Sequence, residues 1–353
     1  MAEPPSVLVI QTAFAGDLIL TLPLIQECHR AFETPVDVLC LPSTEEILEH
    51  HPSIRLPIAY DKHGGTDSLT GIITLVQRRR YNVCITPHRS FRSALISRFS
   101  GASIRIGFDI ASGSWLGTHR VPYDPLAHEI ERNLSLLHPV FPEYRSDTLP
   151  DLYPGEEERR ASAECREPLR GAGSYICIAP GSVWATKRWT PDGFTEVART
   201  LSNEYGIVMI GGSSDTSLCG EICSHLNPAR VVDASGKLSF LEAAAMIEDA
   251  ALVISNDSAP IHIATAMRTP VVEIFGATIP AFGFTPKGVA YEAVGMDGLP
   301  CRPCGIHGGT ECPIGSLACM KELEAGHVIA AARRVLTFGS PKKDTRSGKE
   351  VAK

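Results

Sequence analysis

No apolar stretch in this sequence approaches the roughly 20 residues that a bilayer-spanning helix requires; the longest are strand-sized, such as Val7–Ile10 and Val271–Phe275. The opening Met1-Ala-Glu-Pro-Pro supplies no basic n-region ahead of the first of them, so no secretory signal is read there. The expectation is a cytoplasmic protein. Two phosphate-binding signatures are also missing: neither the GxxxxGK[ST] of a P-loop nor the GxGxxG of a dinucleotide fold occurs. Positive charge is not in excess either, with 33 Lys and Arg against 40 Asp and Glu and a net charge of −7, which argues against a general nucleic-acid binder. Eleven cysteines are present, but the count is odd and Cys40, Cys84, Cys177 and Cys219 fall inside expected strands or helices. There a reduced thiol serves as a small buried hydrophobe, and a reducing compartment is the simpler reading.

What is present is the composition of a globular protein, 44% hydrophobic and 21% charged over 353 residues, a length suited to two domains. Strand-like runs alternate with helical patterns. Ser6–Gln11, Val36–Leu41 and Val83–Thr86 read as strands, with a helix over about Asp17–Phe32. The pattern weakens through the Pro-, Gly- and charge-rich segment 144–173 and then restarts. Strands are expected at Tyr175–Ala179, Ile207–Gly211, Val231–Asp233, Leu252–Ser255 and Val271–Phe275, with helices near Pro191–Glu204, Thr216–Leu226, Phe240–Ile247 and Pro260–Met267. Two such arrays mean two doubly wound, parallel-sheet α/β domains with ligand held at the carboxyl ends of the strands. We place the domains at 1–155 and 156–338, with a polar, Lys-rich tail over 339–353 expected to be disordered.

Three strand-to-helix junctions carry candidate chemistry. In the first, β-strand and small-residue turn lead to Gly16-Asp17; a carboxylate there suits either a helix N-cap or a general base. In the second, APGSVWATKRW (179–189) offers turn amides to a phosphate and Lys187 for a charge-assisted contact, with Trp184 and Trp189 read as packing residues. In the third, VISNDSAPIH (253–262) ends a strand in Asn256-Asp257-Ser258 and opens a helix bearing His262, a place for a diphosphate and its sugar. The bland alternative gives Asp257 and Ser258 to capping and His262 to a buried hydrogen bond. Cys301, Cys304, Cys312 and Cys319, spaced C-x2-C-x7-C-x6-C, could hold a structural Zn2+, although the spacing matches no familiar finger and a reduced, metal-free loop is preferred. From Ser68 to Arg120 there are eight arginines and one acid, Asp109, which suits a local anionic partner.

Taken together, these segments resemble glycosyltransferase family 9, the ADP-heptose:lipopolysaccharide heptosyltransferases. The resemblance runs from Val7 to about Leu336. It rests on Gly16-Asp17-Leu18 with Pro23, Pro180-Gly181 with Lys187 and Trp189, Gly211-Gly212 with Asp215, and Asn256-Asp257-Ser258 with Pro260, His262 and Ala264. Pro270-Val271-Val272, Phe275-Gly276 and Thr278 complete it. The cysteine segment, through Cys319-Met320, is similar to the second-heptose subgroup.

The resemblance implies a GT-B fold of two Rossmann-like domains, acceptor on the first and nucleotide-sugar on the second. It also implies metal-independent, inverting transfer of a heptose from ADP-heptose to the lipid A–Kdo core, as in heptosyltransferase II, with no cofactor. Asp17 matches the general base. Lys187 matches the diphosphate ligand, Asp257 and His262 match donor contacts, and Ser182, Asp215, Ser258 and Ala259 join them as expected donor-side residues. Ala259 departs from the family's usual glycine, and its methyl narrows the approach of backbone to donor. Arg89 and Arg92 become candidates for the acceptor's phosphates and carboxylates. The acceptor's lipid tail implies work at the inner face of the cytoplasmic membrane. Rival readings are a transferase with another nucleotide-sugar, a nicotinamide oxidoreductase or sugar-nucleotide epimerase, and a non-catalytic nucleotide-sugar binder.

Overall fold

The computed structural model describes residues 5–338, so the expected tail at 339–353 lies outside the described residues. In the first half, β1 (Val7–Ile10), α1 (Ala15–Phe32), β2 (Val36–Cys40), β3 (Ile54–Ala59), α2 (Gly65–Arg79) and β4 (Val83–Thr86) come first. They are followed by α3 (Phe91–Phe99), β5 (Ile104–Phe108), β6 (His119–Val121) and α4 (Glu129–Ser135). The second half runs α5 (Glu156–Cys165), β7 (Tyr175–Ala179), α6 (Pro191–Leu201), β8 (Gly206–Met209), α7 (Thr216–Ser224), β9 (Val231–Asp233) and α8 (Phe240–Asp249). It closes with β10 (Leu252–Asn256), α9 (Ala259–Ala266), β11 (Val271–Phe275), β12 (Tyr291–Gly295), α10 (Ala318–Lys321) and α11 (Ala325–Phe338).

Each half builds one six-stranded sheet, with orders β3-β2-β1-β4-β5-β6 and β12-β11-β10-β7-β8-β9. Every pairing is parallel. Both sheets therefore reverse direction once, between β1 and β4 in the first and between β10 and β7 in the second. Those reversals open a crevice at the strands' carboxyl ends. The strands beside them, VLVI, VCIT, YICIA and LVISN, are buried on both faces, as central strands of a helix-covered parallel sheet must be. Strands β3, β5, β6 and β12 are additional to those read from the sequence. β3 is a half-exposed edge carrying Pro57, and β12 is likewise partly exposed, so neither shows a continuous apolar run.

A buried charge organises the first sheet. Asp37 in β2, fully buried, accepts both fork hydrogen bonds of Arg55 at 2.8 Å and one from the Tyr81 hydroxyl at 2.6 Å. These contacts offset the desolvation that an unpaired carboxylate would suffer.

The two sheets are tied across the crevice by polar contacts as well as by the packing of α1 on α9. Asp151 joins Gln26 (3.0 Å) to Arg268 (2.7 Å). The Arg132 guanidinium donates to the Phe282 carbonyl at 3.0 Å, and the Glu129 amide donates to the Gly283 carbonyl at 2.8 Å. Glu46, in the turn after β2, reaches the start of α8. Its carboxylate accepts from the Ser239 hydroxyl and from the amides of Phe240 (3.0 Å) and Leu241 (2.8 Å). A carboxylate placed on free first-turn amides is favoured by hydrogen bonding and by the helix dipole. Glu46→Ala should therefore lower the unfolding free energy by about 1–2 kcal/mol, and Glu46→Gln by less. Urea melts of the two variants check this; equal losses would remove the charge contribution.

Candidate active site

The crevice narrows to a cavity of about 250 Å³ lined from both halves of the chain. Phe14, Gly16, Asp17 and Leu20 come from the start of α1, and Ser182, Trp184 and Lys187 from the turn after β7. Asp257, Ser258, Ala259 and His262 come from the junction of β10 and α9, with Phe282, Phe284, Ile306 and His307 closing one side.

Asp17 is not the cap of α1. The N-cap is Phe14, and Asp17 stands in the first helical turn facing the cavity. Burial pushes its carboxyl above the usual carboxylate range, while His307, the backbone amide of Phe14 and Arg89 pull it back. The preceding glycine is there for space: a side chain on residue 16 would meet the His262 ring at 2.8 Å. The two helix starts thus touch, one from each sheet.

On the opposite wall the Lys187 ammonium lies 2.7 Å from the Asp257 carboxylate and donates at 3.3 Å to the Asp257 carbonyl. Thr278 adds a hydroxyl donor at 2.5 Å. Asn256 holds this wall together: its side chain accepts from the Trp189 amide at 3.1 Å and donates to the Pro180 carbonyl at 2.8 Å. The segment carrying Ser182 and Lys187 is thereby fastened to the end of β10. Ser258 is the N-cap of α9, yet its hydroxyl donates to the Asn256 carbonyl at 3.2 Å and makes no capping bond. The positive end of α9 accordingly opens into the cavity.

Seven expected site residues, Asp17, Ser182, Lys187, Asp257, Ser258, Ala259 and His262, line this one cavity. Asp215 does not. Its carboxylate accepts from the Gly212 amide at 2.9 Å and fills the space that a side chain on Gly181 would need, at 2.5 Å. Arg89 stacks over the Tyr123 ring at 4.6 Å and is near enough to Asp17 to bear on its charge. Arg92 does not line the cavity and donates to the Lys62 carbonyl. Trp189 is packed in the core against Phe194, as read, whereas Trp184, also read as packing, lines the cavity.

Four groups at the site were not read from the sequence. Glu129, buried and raised above its ordinary range chiefly by that burial, is near enough to Asp17 to interact with its charge, and is bonded at 2.7 Å to the buried Arg132. Phe14 and His307 complete the walls. The HEIER cluster of alternating charges at 128–132 was the available signal for the Glu129–Arg132 pair.

Cys301, Cys304, Cys312 and Cys319 all carry free thiols. Cys304 Sγ lies on the Cys301 carbonyl at 3.2 Å, and the Leu317 amide donates to Cys312 Sγ at 3.4 Å. Among the described residues no group of three or more His, Cys, Asp or Glu is arranged to hold a metal. No helix among them is long and apolar enough to cross a membrane.

Two doubly wound domains facing across a crevice, with a carboxylate on one helix start and a cation beside another, have the GT-B architecture. The model of glycosyltransferase family 9 (heptosyltransferase) matches residues 72–310, and the chain belongs to that family. It is 30% identical to lipopolysaccharide heptosyltransferase 3 of Escherichia coli K12 over 82% of this chain and 88% of that one. Its fold is that of a family 9 glycosyl transferase from Veillonella parvula, with a TM-score of 0.84 at 20% identity over 96% and 98% of the two chains. The E. coli ADP-heptose lipopolysaccharide heptosyltransferase II also shares it, with a TM-score of 0.78 at 20% identity over 94% and 98%.

His262 supplies a test of the site's interior. Burial lowers its imidazole from 6.5 to about 4, so it is neutral at ordinary pH. The unfolded chain takes a proton more readily than the folded one. The stability this imidazole supports is present above pH 6.5 and is lost as pH falls from 6.5 toward 4. Relative to His262→Gln, wild type should lose up to roughly 3 kcal/mol across that window. Urea melts at stepped pH measure it, and a pH-independent difference would mean that the ring is not buried in the neutral form.

Proposed function

We propose that this heptosyltransferase moves a heptose from ADP-heptose to the anionic lipid A–Kdo inner core of lipopolysaccharide. The observation that carries the reading is the cavity itself, where Asp17 of the first domain faces Lys187 and the start of α9 in the second. The activities of the lipopolysaccharide heptosyltransferases that the chain resembles support the sugar, the donor and the glycan.

In this mechanism the diphosphate of the donor lies against Lys187 and the N-terminus of α9, with Ser182, Ser258 and Ala259 around it. Asp17, ionised, takes the proton of the acceptor hydroxyl as its oxygen attacks the anomeric carbon from the opposite face. Configuration inverts, and ADP leaves as its developing charge is met by Lys187 and the helix dipole. Arg89 and Arg92 bind the acceptor's phosphates and carboxylates from the first domain. No cofactor enters the reaction. If the four-cysteine loop carries a structural zinc, protein purified under reducing conditions will contain it in equimolar amount. The acceptor's lipid places the enzyme at the inner face of the cytoplasmic membrane.

The position of the added heptose has two candidates: the cysteine segment resembles second-heptose enzymes, whereas the 30% relative is a heptosyltransferase 3. Core acceptors truncated before one or the other heptose discriminate them. Ala259 bears on the donor, so thermal stabilisation by ADP-heptose is compared first with UDP- and GDP-sugars. A selective shift is expected, and preference for another nucleotide-sugar would move the protein to a different glycan.

Asp17→Asn should lower kcat by about 10²–10⁴-fold with donor binding unchanged. Because burial raises the Asp17 pKa above 3.8, and only the ionised form is a base, the wild-type rate should fall on its acid side through that raised value. The limb should vanish in the residual activity of the Asn variant. Near-normal turnover of Asp17→Asn would place the base elsewhere. Arg92→Ala should lessen the salt dependence of the acceptor KM, and unchanged kinetics would end its assignment.

A further inference from the structure

The first domain carries a band of exposed apolar side chains that begins at Phe14 on the cavity rim and continues outside the cavity. Phe14 at the cavity rim is 58% exposed, Phe91 48%, Phe99 40%, Ile110 56% and Trp115 71%. Successive contacts join most of them. The Lys62 ammonium sits over the Phe14 ring at 5.7 Å, and the Arg92 guanidinium bonds the Lys62 carbonyl. Beside Arg92, the Phe91 ring lies where a side chain on Gly113 would be, at 2.9 Å. Gly113 opens the short turn that presents Trp115, and this turn packs on α3. Along α3, Phe91, Leu95 and Phe99 are spaced four apart and form one stripe with Arg98 beside it.

Charge on this part of the chain is predominantly positive. From Lys62 to Arg120 there are nine Lys and Arg (Lys62 and the eight arginines from Arg78 to Arg120) against two acids, Asp67 and Asp109. That excess stands on a protein whose net charge is −7.

We infer that the band Phe91–Phe99–Ile110–Trp115, with Arg92 and Arg98, is the surface by which this protein docks on an anionic lipid bilayer. Exposed aromatic rings among basic side chains fit a headgroup layer, where the ring enters the acyl boundary and the cation meets phosphate. Each Lys or Arg near an anionic surface strengthens adsorption roughly fivefold. The inference rests on the lipid-linked acceptor proposed above, since the band begins at the cavity rim. A bilayer gripped there holds a membrane-anchored substrate with its polar head at Asp17.

The test uses the full chain and vesicles without any glycolipid. Vesicles of phosphatidylethanolamine and phosphatidylglycerol (3:1) are compared with phosphatidylcholine vesicles by co-sedimentation. Tryptophan emission is followed in parallel, because Trp115 is far more exposed than the buried Trp189. Wild type should bind the anionic vesicles at least tenfold more tightly, with a blue-shifted emission. The double variant Trp115→Ser/Phe99→Ser should lose at least tenfold in affinity and the blue shift, and Arg98→Ser should lose several-fold. Both variants should keep the wild-type Tm, since these side chains are exposed. Absence of vesicle binding, variants that bind like wild type, or tighter binding to a single-stranded RNA that competes with vesicles would each overturn the inference. No donor or acceptor sugar is present, so such a failure leaves the transfer reading standing. A failed transfer assay would likewise leave the vesicle result to be judged alone.

Discussion

The site depends on the contact between the first turn of α1 and the first turn of α9, where the His262 ring occupies the volume that a side chain at residue 16 would need. Each helix follows a strand at the point where its sheet reverses, so each was bound to start at a crevice. Only close approach turns two crevices into one cavity. Glycine at 16 permits that approach, and a neutral imidazole tolerates it. A charged ring so deeply buried would have to be solvated or paired, and burial instead holds His262 uncharged. Asp17, in the same helix turn, is buried, and that burial raises its carboxyl above the usual carboxylate range.

How much of this was legible in the sequence follows from what kind of fact each residue expresses. Lys187, Asp257, Ser258 and His262 sit at strand ends and helix starts, and strand ends are marked by a change from apolar to polar residues. Asp17 is marked in the same way, but its two readings, cap or base, differ only in where the side chain points. Backbone geometry shows that Phe14, and not Asp17, is the N-cap. Asp215 was expected on the donor because it travels with Gly211-Gly212. The structure gives that spacing a mechanical meaning: its carboxylate bonds the Gly212 amide and occupies the space over Gly181, so the glycines make room for the acid. Glu129, Arg132 and His307 reach the site from segments with no strand-to-helix signature; the charge cluster at 128–132 is the one local mark of the first two, and His307 has none. The edge strands β3 and β12 escaped for a related reason, since half-exposed strands interrupted by Pro57 or by charge lack the apolar run that marks central ones.

On the wall opposite Asp17, a lysine supplies what the helix start lacks. A free helix N-terminus ordinarily offers several unpaired amides to an anion. In α9 the second position is Pro260, which has no N–H, and the Ile261 amide already donates to the Ser258 carbonyl at 3.2 Å. The terminus keeps its dipole but has few donors left to give. The compensating charge is Lys187, held in readiness by Asp257 at 2.7 Å and fixed in direction by the Asp257 carbonyl. Its partner Asp257 is itself held by Thr278, so an arriving diphosphate can share the ammonium without leaving the buried carboxylate bare. The residue beside these groups is Ala259, the first of the helix. A methyl there stands between the backbone and the cavity, and the ammonium, reaching across from the turn after β7, is a donor whose reach does not depend on that gap.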